Sequence, residues 1–189
     1  MKRAIAMLGM LAAMNVHAQG GQVFLMRVDA PAGTQLETYE DGNGCPARAD
    51  ACRSNGSVQA GEELLVTEVR GEWSRAWSKG WVKNAQLTEL PVDAQPAWEG
   101  SWKGADTAGT IAIVRQGDAY GIEAANDGGR MRGLLRVDGK RARYDEGNPL
   151  MPDIGCKASF ARIGRYLVVQ DNGQCGGKGR FDGVYTPAG

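Results

Sequence analysis

Histidine and net charge are nearly absent from this sequence. His17 is the only histidine among 189 residues, and 22 Lys plus Arg balance 22 Asp plus Glu. Because histidine is the usual general base and metal ligand near neutral pH, any chemistry through imidazole depends on this one residue. Zero net charge argues against a general nucleic-acid binder, and the ordinary hydrophobic content of 42% excludes long disorder.

The amino-terminal segment has the three parts of a secretory signal peptide. Residues 1–3 include two basic side chains, residues 4–14 are small and apolar, and residues 16–18 end in Ala18. This pattern predicts cleavage after Ala18 and a periplasmic or secreted protein. A buried amino-terminal helix is the alternative, whereas a membrane anchor needs a longer apolar run of roughly 20 residues. Cleavage would remove His17 and leave a net charge of −2 (20 − 22).

The four cysteines form two sequence-local pairs. Exported proteins use an even number of cysteines mainly for disulfides. Of the three possible connectivities, we expect Cys45 with Cys52 and Cys156 with Cys175. A zinc site is the alternative, but the spacing lacks a CxxC motif and no histidine would remain to complete the ligands. We therefore predict structural disulfides, no metal and no cofactor.

A proline-containing segment at residues 91–96 predicts a linker between two domains. After the signal peptide at residues 1–18, the domains would be residues 19–90 and residues 97–189. Residues 19–96 have a net charge of −4 (7 − 11), and residues 97–189 have a net charge of +2 (13 − 11). The balanced total therefore combines an acidic and a basic half.

The amino-terminal half is patterned as short strands separated by turn residues. A strand opening at Trp73, followed by Gly80-Trp81-Val82, resembles bacterial SH3-like domains across residues 22–90. The sequence departs from that family at residues 40–60, where we expect a long loop tied by the short disulfide. In SH3-like folds a loop near this point often borders the ligand groove, which it would here either block or extend. The expected strands are 22–28, 35–39, 63–69, 73–77 and 80–83.

The carboxy-terminal half predicts about eight short antiparallel strands, the number in a small up-and-down barrel. In its first complete hairpin, Ile113 should face Ile122 and Ile111 should face Ala124, with all four on one face. Inward apolar side chains on such short strands should fill the interior, which disfavours an internal ligand. The fold class we predict is all-β, with an SH3-like barrel followed by an eight-stranded antiparallel barrel.

Two further motifs carry a resemblance in this half. Gly100-Ser101-Trp102 resembles the glycine-x-tryptophan signature of lipocalin-like barrels. Together with Cys175-Gly176-Gly177 and the ending at residues 181–185, it is similar to small disulfide-bearing barrels of exported bacterial proteins. That group includes inhibitors of lysozyme-type hydrolases, so the resemblance implies binding to another protein.

Carboxylate pairs are the remaining catalytic candidates once histidine is removed. Glu62-Glu63 and Asp145-Glu146 both lie at turns beside strands, where a solvated charge is the ordinary role. Glycine-rich stretches at 126–129 and 175–179 precede no helix, so they predict turns and no phosphate loop. We therefore expect no enzymatic activity.

An arginine-rich hairpin is the first candidate binding surface. Its outward residues include Arg132 and Arg136 on one strand and Arg141 and Arg143 on the next. A two-residue turn at Asp138-Gly139 would set Arg136 directly opposite Arg141. Facing like charges destabilise a sheet, so this face is a candidate contact for an anionic partner surface. The alternative is a basic face that serves only solubility.

Aromatic side chains form the second candidate surface. Trp73 and Trp77 share one face of a predicted strand, and Tyr39 precedes the expected long loop. If the three rings are exposed together, they would form a groove suited to a peptide or a glycan. The alternative is that these rings pack in or beside the core.

Two functions from different classes follow from these patterns. The first is an exported, non-enzymatic protein that binds and inhibits a cell-wall hydrolase. The second is a peptidoglycan-binding module that acts through the SH3-like domain. Neither function uses nucleic acid or a membrane span.

Overall fold

The chain folds into a closed barrel and a separate sheet, both antiparallel. This arrangement confirms the all-β prediction and its eight-stranded barrel. The predicted signal peptide lies outside the described residues. The computed structural model describes residues 23–42, 44–47, 49–147, 150–151, 154–175 and 180–189.

Seven strands form the amino-terminal sheet, in the order β3-β2-β6-β5-β4-β1-β7. They are β1 (Phe24–Val28), β2 (Gln35–Tyr39), β3 (Arg53–Gln59), β4 (Glu63–Arg70), β5 (Trp73–Ala76), β6 (Gly80–Lys83) and β7 (Leu87–Glu89). The prediction of a continuous loop over residues 40–60 is wrong at β3, which pairs with β2 from Gln35 opposite Gln59 onward. Its Ser, Asn and Gly residues have low strand propensity, so this strand depends on its partner and on buried Val58.

Eight sequential strands close the barrel, with β8 pairing to β15. The predicted pairs are confirmed: Ile113 lies opposite Ile122, and Ile111 lies opposite Ala124. The strands are β8 (Gly100–Gly104), β9 (Thr110–Gln116), β10 (Ala119–Asn126), β11 (Gly129–Asp138), β12 (Arg141–Asp145), β13 (Lys157–Ile163), β14 (Tyr166–Asp171) and β15 (Gly183–Pro187).

Apolar side chains fill the barrel interior. Inward residues from every strand join one cluster, in which Phe160, Leu167 and Tyr185 are at most 2% exposed. Trp98, just before β8, belongs to the same cluster and donates its indole N–H to the Gly139 carbonyl at 2.9 Å. The chain entering the barrel is thereby tied to the turn between β11 and β12.

Tyr185 gives the barrel a sensitivity to alkaline pH. Its buried hydroxyl donates to the Phe181 carbonyl at 3.0 Å. Burial raises the pKa of Tyr185 above its ordinary value of 10.0. A phenol whose pKa is raised by folding stabilises the folded state below its unfolded pKa and loses that contribution as pH rises through the folded pKa.

We therefore expect the free energy of unfolding to fall more steeply with rising pH above about 10 in the wild type than in Tyr185→Phe. Denaturant unfolding at a series of alkaline pH values checks this. Parallel pH dependence in the two proteins would show that Tyr185 does not titrate as its burial requires.

Both predicted disulfides are present. Cys45 is bonded to Cys52 and Cys156 to Cys175, so all four cysteines are paired. Structural disulfides persist in oxidising compartments, and these two indicate an extracellular or periplasmic environment.

The sheet and the barrel pack against each other through an apolar cluster. Leu25 and Leu65 of the sheet join Ile163, Tyr166 and Val184 on the outside of the barrel. Leu90, just before the predicted linker, and Val92, within it, pack against the same cluster. The two halves therefore share a buried contact in addition to their covalent connection. No helix in the described part of the chain is long and apolar enough to cross a membrane.

Candidate protein-binding surface

The hairpin of β11 and β12 turns one residue later than its sequence predicted. Asp138 pairs with Arg141, so the two-residue loop is Gly139-Lys140. Gly139 has a φ of +53°, and a positive φ at the first loop position suits the II′ type of hairpin turn. A Cβ on Gly139 would also lie 2.9 Å from the Ala94 carbonyl oxygen. Glycine is therefore required here both for its backbone conformation and for the close approach.

This turn changes which arginines face each other. The predicted opposition of Arg136 and Arg141 is wrong, because Arg136 lies opposite Arg143. The side chains keep their outward direction, since moving the loop by one residue shifts the cross-strand pairing by two. All four predicted arginines are exposed, as the alternation along β11 and β12 requires. The like-charge opposition is thus preserved with a different partner.

Among the described residues, three of the four arginines form no ion pair. Arg132 pairs with Glu123 of β10 at 3.0 Å. Within the described residues, no carboxylate oxygen lies within 4.0 Å of a charged nitrogen of Arg136, Arg141 or Arg143. We call Arg136, Arg141 and Arg143 the arginine face.

The neighbouring strand does not supply a counter-charge to the facing pair. Arg143 pairs with Ser159 of β13, which in turn pairs with Gln170 of β14. Both neighbours are uncharged, so neither of them screens the repulsion between Arg136 and Arg143.

The predicted aromatic residues do not share an exposed surface. Trp73 is 4% exposed, and the edge of its ring meets Tyr39 with centroids 4.8 Å apart. Trp77 instead contacts the barrel, donating its indole N–H to Asp106 at 3.0 Å and meeting the Tyr166 ring edge-on at 6.0 Å. A local sequence pattern could not reveal this, because Asp106 lies 29 residues further along the chain.

A cavity of about 360 Å³ does lie beside Tyr39 in the sheet. Trp81 contributes to its lining, and Glu40 and Asp41, from the start of the disulfide-tied loop, contribute to its wall. The loop therefore extends this cavity. Asp41 pairs with Arg75 at 3.4 Å, so the cavity has both signs of charge at its edge.

Two carboxylates from the pairs considered as catalytic candidates have structural partners. Glu62 accepts hydrogen bonds from the Gln59 backbone N–H at 2.9 Å and pairs with Lys79 at 3.0 Å. Burial alone would raise the pKa of Glu62, but these two donors hold it below its ordinary value. Glu146 accepts from the backbone N–H of Cys156 at 3.0 Å. In the described chain, no group of three or more His, Cys, Asp or Glu residues could hold a metal ion.

Comparison with protein-family models, with curated proteins and with solved structures finds no match to this chain. The SH3-like and lipocalin-like resemblances therefore stay predictions. The functional assignment rests on the geometry of the arginine face and the cavity.

Proposed function

We propose that this protein is an exported, non-enzymatic binding protein that inhibits a cell-wall hydrolase through the arginine face of its barrel. The single observation that supports this is the opposition of Arg136 and Arg143, neither of which forms an ion pair with a carboxylate of the described residues. Active-site clefts of glycoside hydrolases commonly present paired carboxylates. Such a cleft supplies the negative charge that the arginine face lacks.

The chemistry of arginine favours a carboxylate partner. A guanidinium presents a planar fork of N–H donors that matches a carboxylate with two parallel hydrogen bonds. Facing like charges on a sheet cost stability, and a docked carboxylate between them would remove that cost. Complementary charge also accelerates association and makes it sensitive to ionic strength.

Capture from periplasmic extract, followed by an enzyme assay, tests this function. The full chain should retain a muramidase or an amidase at low salt, lose much of it as ionic strength rises above about 0.15 M, and inhibit the purified enzyme. Failure to inhibit any captured hydrolase, or capture that is indifferent to salt, would refute the proposal.

The cavity beside Tyr39 supports a second function, peptidoglycan binding. The Tyr39 ring and the acidic and basic side chains that line this cavity suit a wall peptide with both amino and carboxylate groups. The full chain should then sediment with purified sacculi, and Tyr39→Ala should reduce sedimentation while Arg143→Glu leaves it unchanged. If the wild-type chain stays in the supernatant, this second function is excluded.

A further inference from the structure

The outer wall of the barrel contains a groove floored by small side chains. The pairing places Ser101 of β8 beside Ala112 of β9, and Thr110 of β9 beside Ala125 of β10. Larger residues on the adjacent strands leave an open volume of about 510 Å³ over these positions. The groove thus lies over small outward residues of β8, β9 and β10 and also contains Glu123 of β10, opposite Ala112.

One side of the groove is a ridge formed by β11. Its alternate residues Arg130, Arg132, Leu134 and Arg136 are all on the outside of the barrel. Arg130 and Arg132 line the groove, and the row continues past its lining to Leu134, which is 59% exposed, and Arg136. Outward positions along a strand repeat about every 7 Å. The ridge therefore offers guanidinium groups at three positions and one apolar side chain in a regular row.

The described residues leave part of the charge and part of the apolar surface at this ridge uncovered. Arg130 has no carboxylate within 4.0 Å among the described residues, whereas Glu123 partly neutralises Arg132. Val114, in the same cross-strand row as Leu134, is 52% exposed. Between them, the side-chain amide of Gln116 covers Gly121. Arginine is enriched at protein-binding surfaces, and Leu134 and Val114 add exposed apolar side chains beside it.

We propose that this groove receives an extended acidic segment of the partner protein, lying along β11. An extended chain repeats its side chains on one face with the same spacing as the ridge. Acidic residues at alternate positions would therefore meet Arg130, Arg132 and Arg136, and an apolar residue would meet Leu134. This inference rests on the proposed protein-binding function and specifies which part of the partner binds.

The composition of the groove favours a peptide over a polyphosphate. Glu123 lies in the groove lining and would repel a backbone that is negative at every unit. Val114 and Leu134 would have no counterpart on a phosphate chain. A peptide can place its apolar residue opposite them, and its charges occur only at alternate residues.

Fluorescence anisotropy with a labelled peptide, Glu-Thr-Glu-Thr-Val-Thr-Glu, tests the inference on the full chain. We expect saturable binding at low salt and none for the same peptide with lysines in place of glutamates. Ala112→Phe, which fills the groove, and Arg130→Glu, which reverses one charge on the ridge, should each weaken binding about tenfold or more. Ser57→Phe, on the exposed edge strand β3, is the matched control and should bind like the wild type.

Binding that is unchanged in Arg130→Glu would overturn the groove assignment, as would equal binding of an oligothymidylate of the same charge. Circular dichroism of each variant establishes that the barrel is intact. A hydrolase that is captured equally by Ala112→Phe and wild type, but not by Arg143→Glu, would remove the groove and leave the proposed function standing. Acidic peptide binding without any captured hydrolase would remove the proposed function and leave the groove standing.

Discussion

Replacing Trp98 by alanine should lower the free energy of unfolding by about 3–5 kcal/mol, the usual cost of removing a large buried aromatic side chain. Trp98 is 2% exposed and packs in the barrel core. Its indole N–H also binds the Gly139 carbonyl at 2.9 Å. The substitution therefore leaves a cavity at one end of the barrel and frees the turn that sets the register of the arginine face.

Trp98→Phe separates these two contributions. It retains most of the ring volume but loses the hydrogen bond, so we expect a smaller loss, with about 1 kcal/mol from the bond itself. Urea denaturation of the two variants and the wild type measures both effects. Equal stability of Trp98→Ala and wild type would mean that this indole does not hold the barrel closed.

Replacing Arg143 by glutamate should make the free protein more stable and its complex weaker. The new carboxylate would face Arg136 across the strands, which converts a repulsive pair into an attractive one worth roughly 0.2–1 kcal/mol. The same change removes a charge-assisted contact to an acidic partner, worth about 1.5–3 kcal/mol. That loss corresponds to roughly tenfold to a hundredfold weaker binding.

Arg27→Glu is the matched control for this charge reversal. Arg27 is an exposed arginine on β1 of the sheet, distant in sequence from the arginine face. The Arg27→Glu substitution changes the net charge by the same amount as Arg143→Glu, so any effect common to both variants reflects overall electrostatics. Only Arg143→Glu should combine a higher free energy of unfolding with weaker capture of the hydrolase.

Much of the barrel could be predicted because its strands follow local rules. The alternation of Ile111 and Ile113 with small or polar neighbours fixed the inward face, and the pairing with Ile122 followed from a short turn. The cysteine pairs were predictable because each is close in sequence. These features depend on neighbours a few residues away, which a single sequence displays.

Features that depend on tertiary contacts were missed or misplaced. The strand at residues 53–59 has polar residues and glycine, and only its pairing with β2 makes it a strand. The register of Arg136 depended on whether Asp138 belongs to the turn or to the strand, and the contacts of Gly139 with Ala94 and Trp98 favour the strand. Trp77 was predicted in a groove because it shares a strand face with Trp73. Its contact with Asp106 joins the two halves of the chain, so the local pattern does not show it.

The contact between the halves bears on both proposed functions. Trp77 and the cluster around Leu25 and Ile163 cover part of each unit, so either unit produced alone would expose apolar surface. The functional experiments are therefore best done on the full chain. Variants on the arginine face and at the sheet cavity then separate the two binding activities within one folded protein.

The most direct test of the central claim is the affinity of the captured hydrolase for wild-type protein and for Arg143→Glu, measured by titration calorimetry at constant ionic strength. If the arginine face is the docking surface, the variant should bind at least about tenfold more weakly while unfolding at a higher denaturant concentration. Equal affinities for the two proteins would contradict the account, because the unneutralised arginine pair would then have no part in binding.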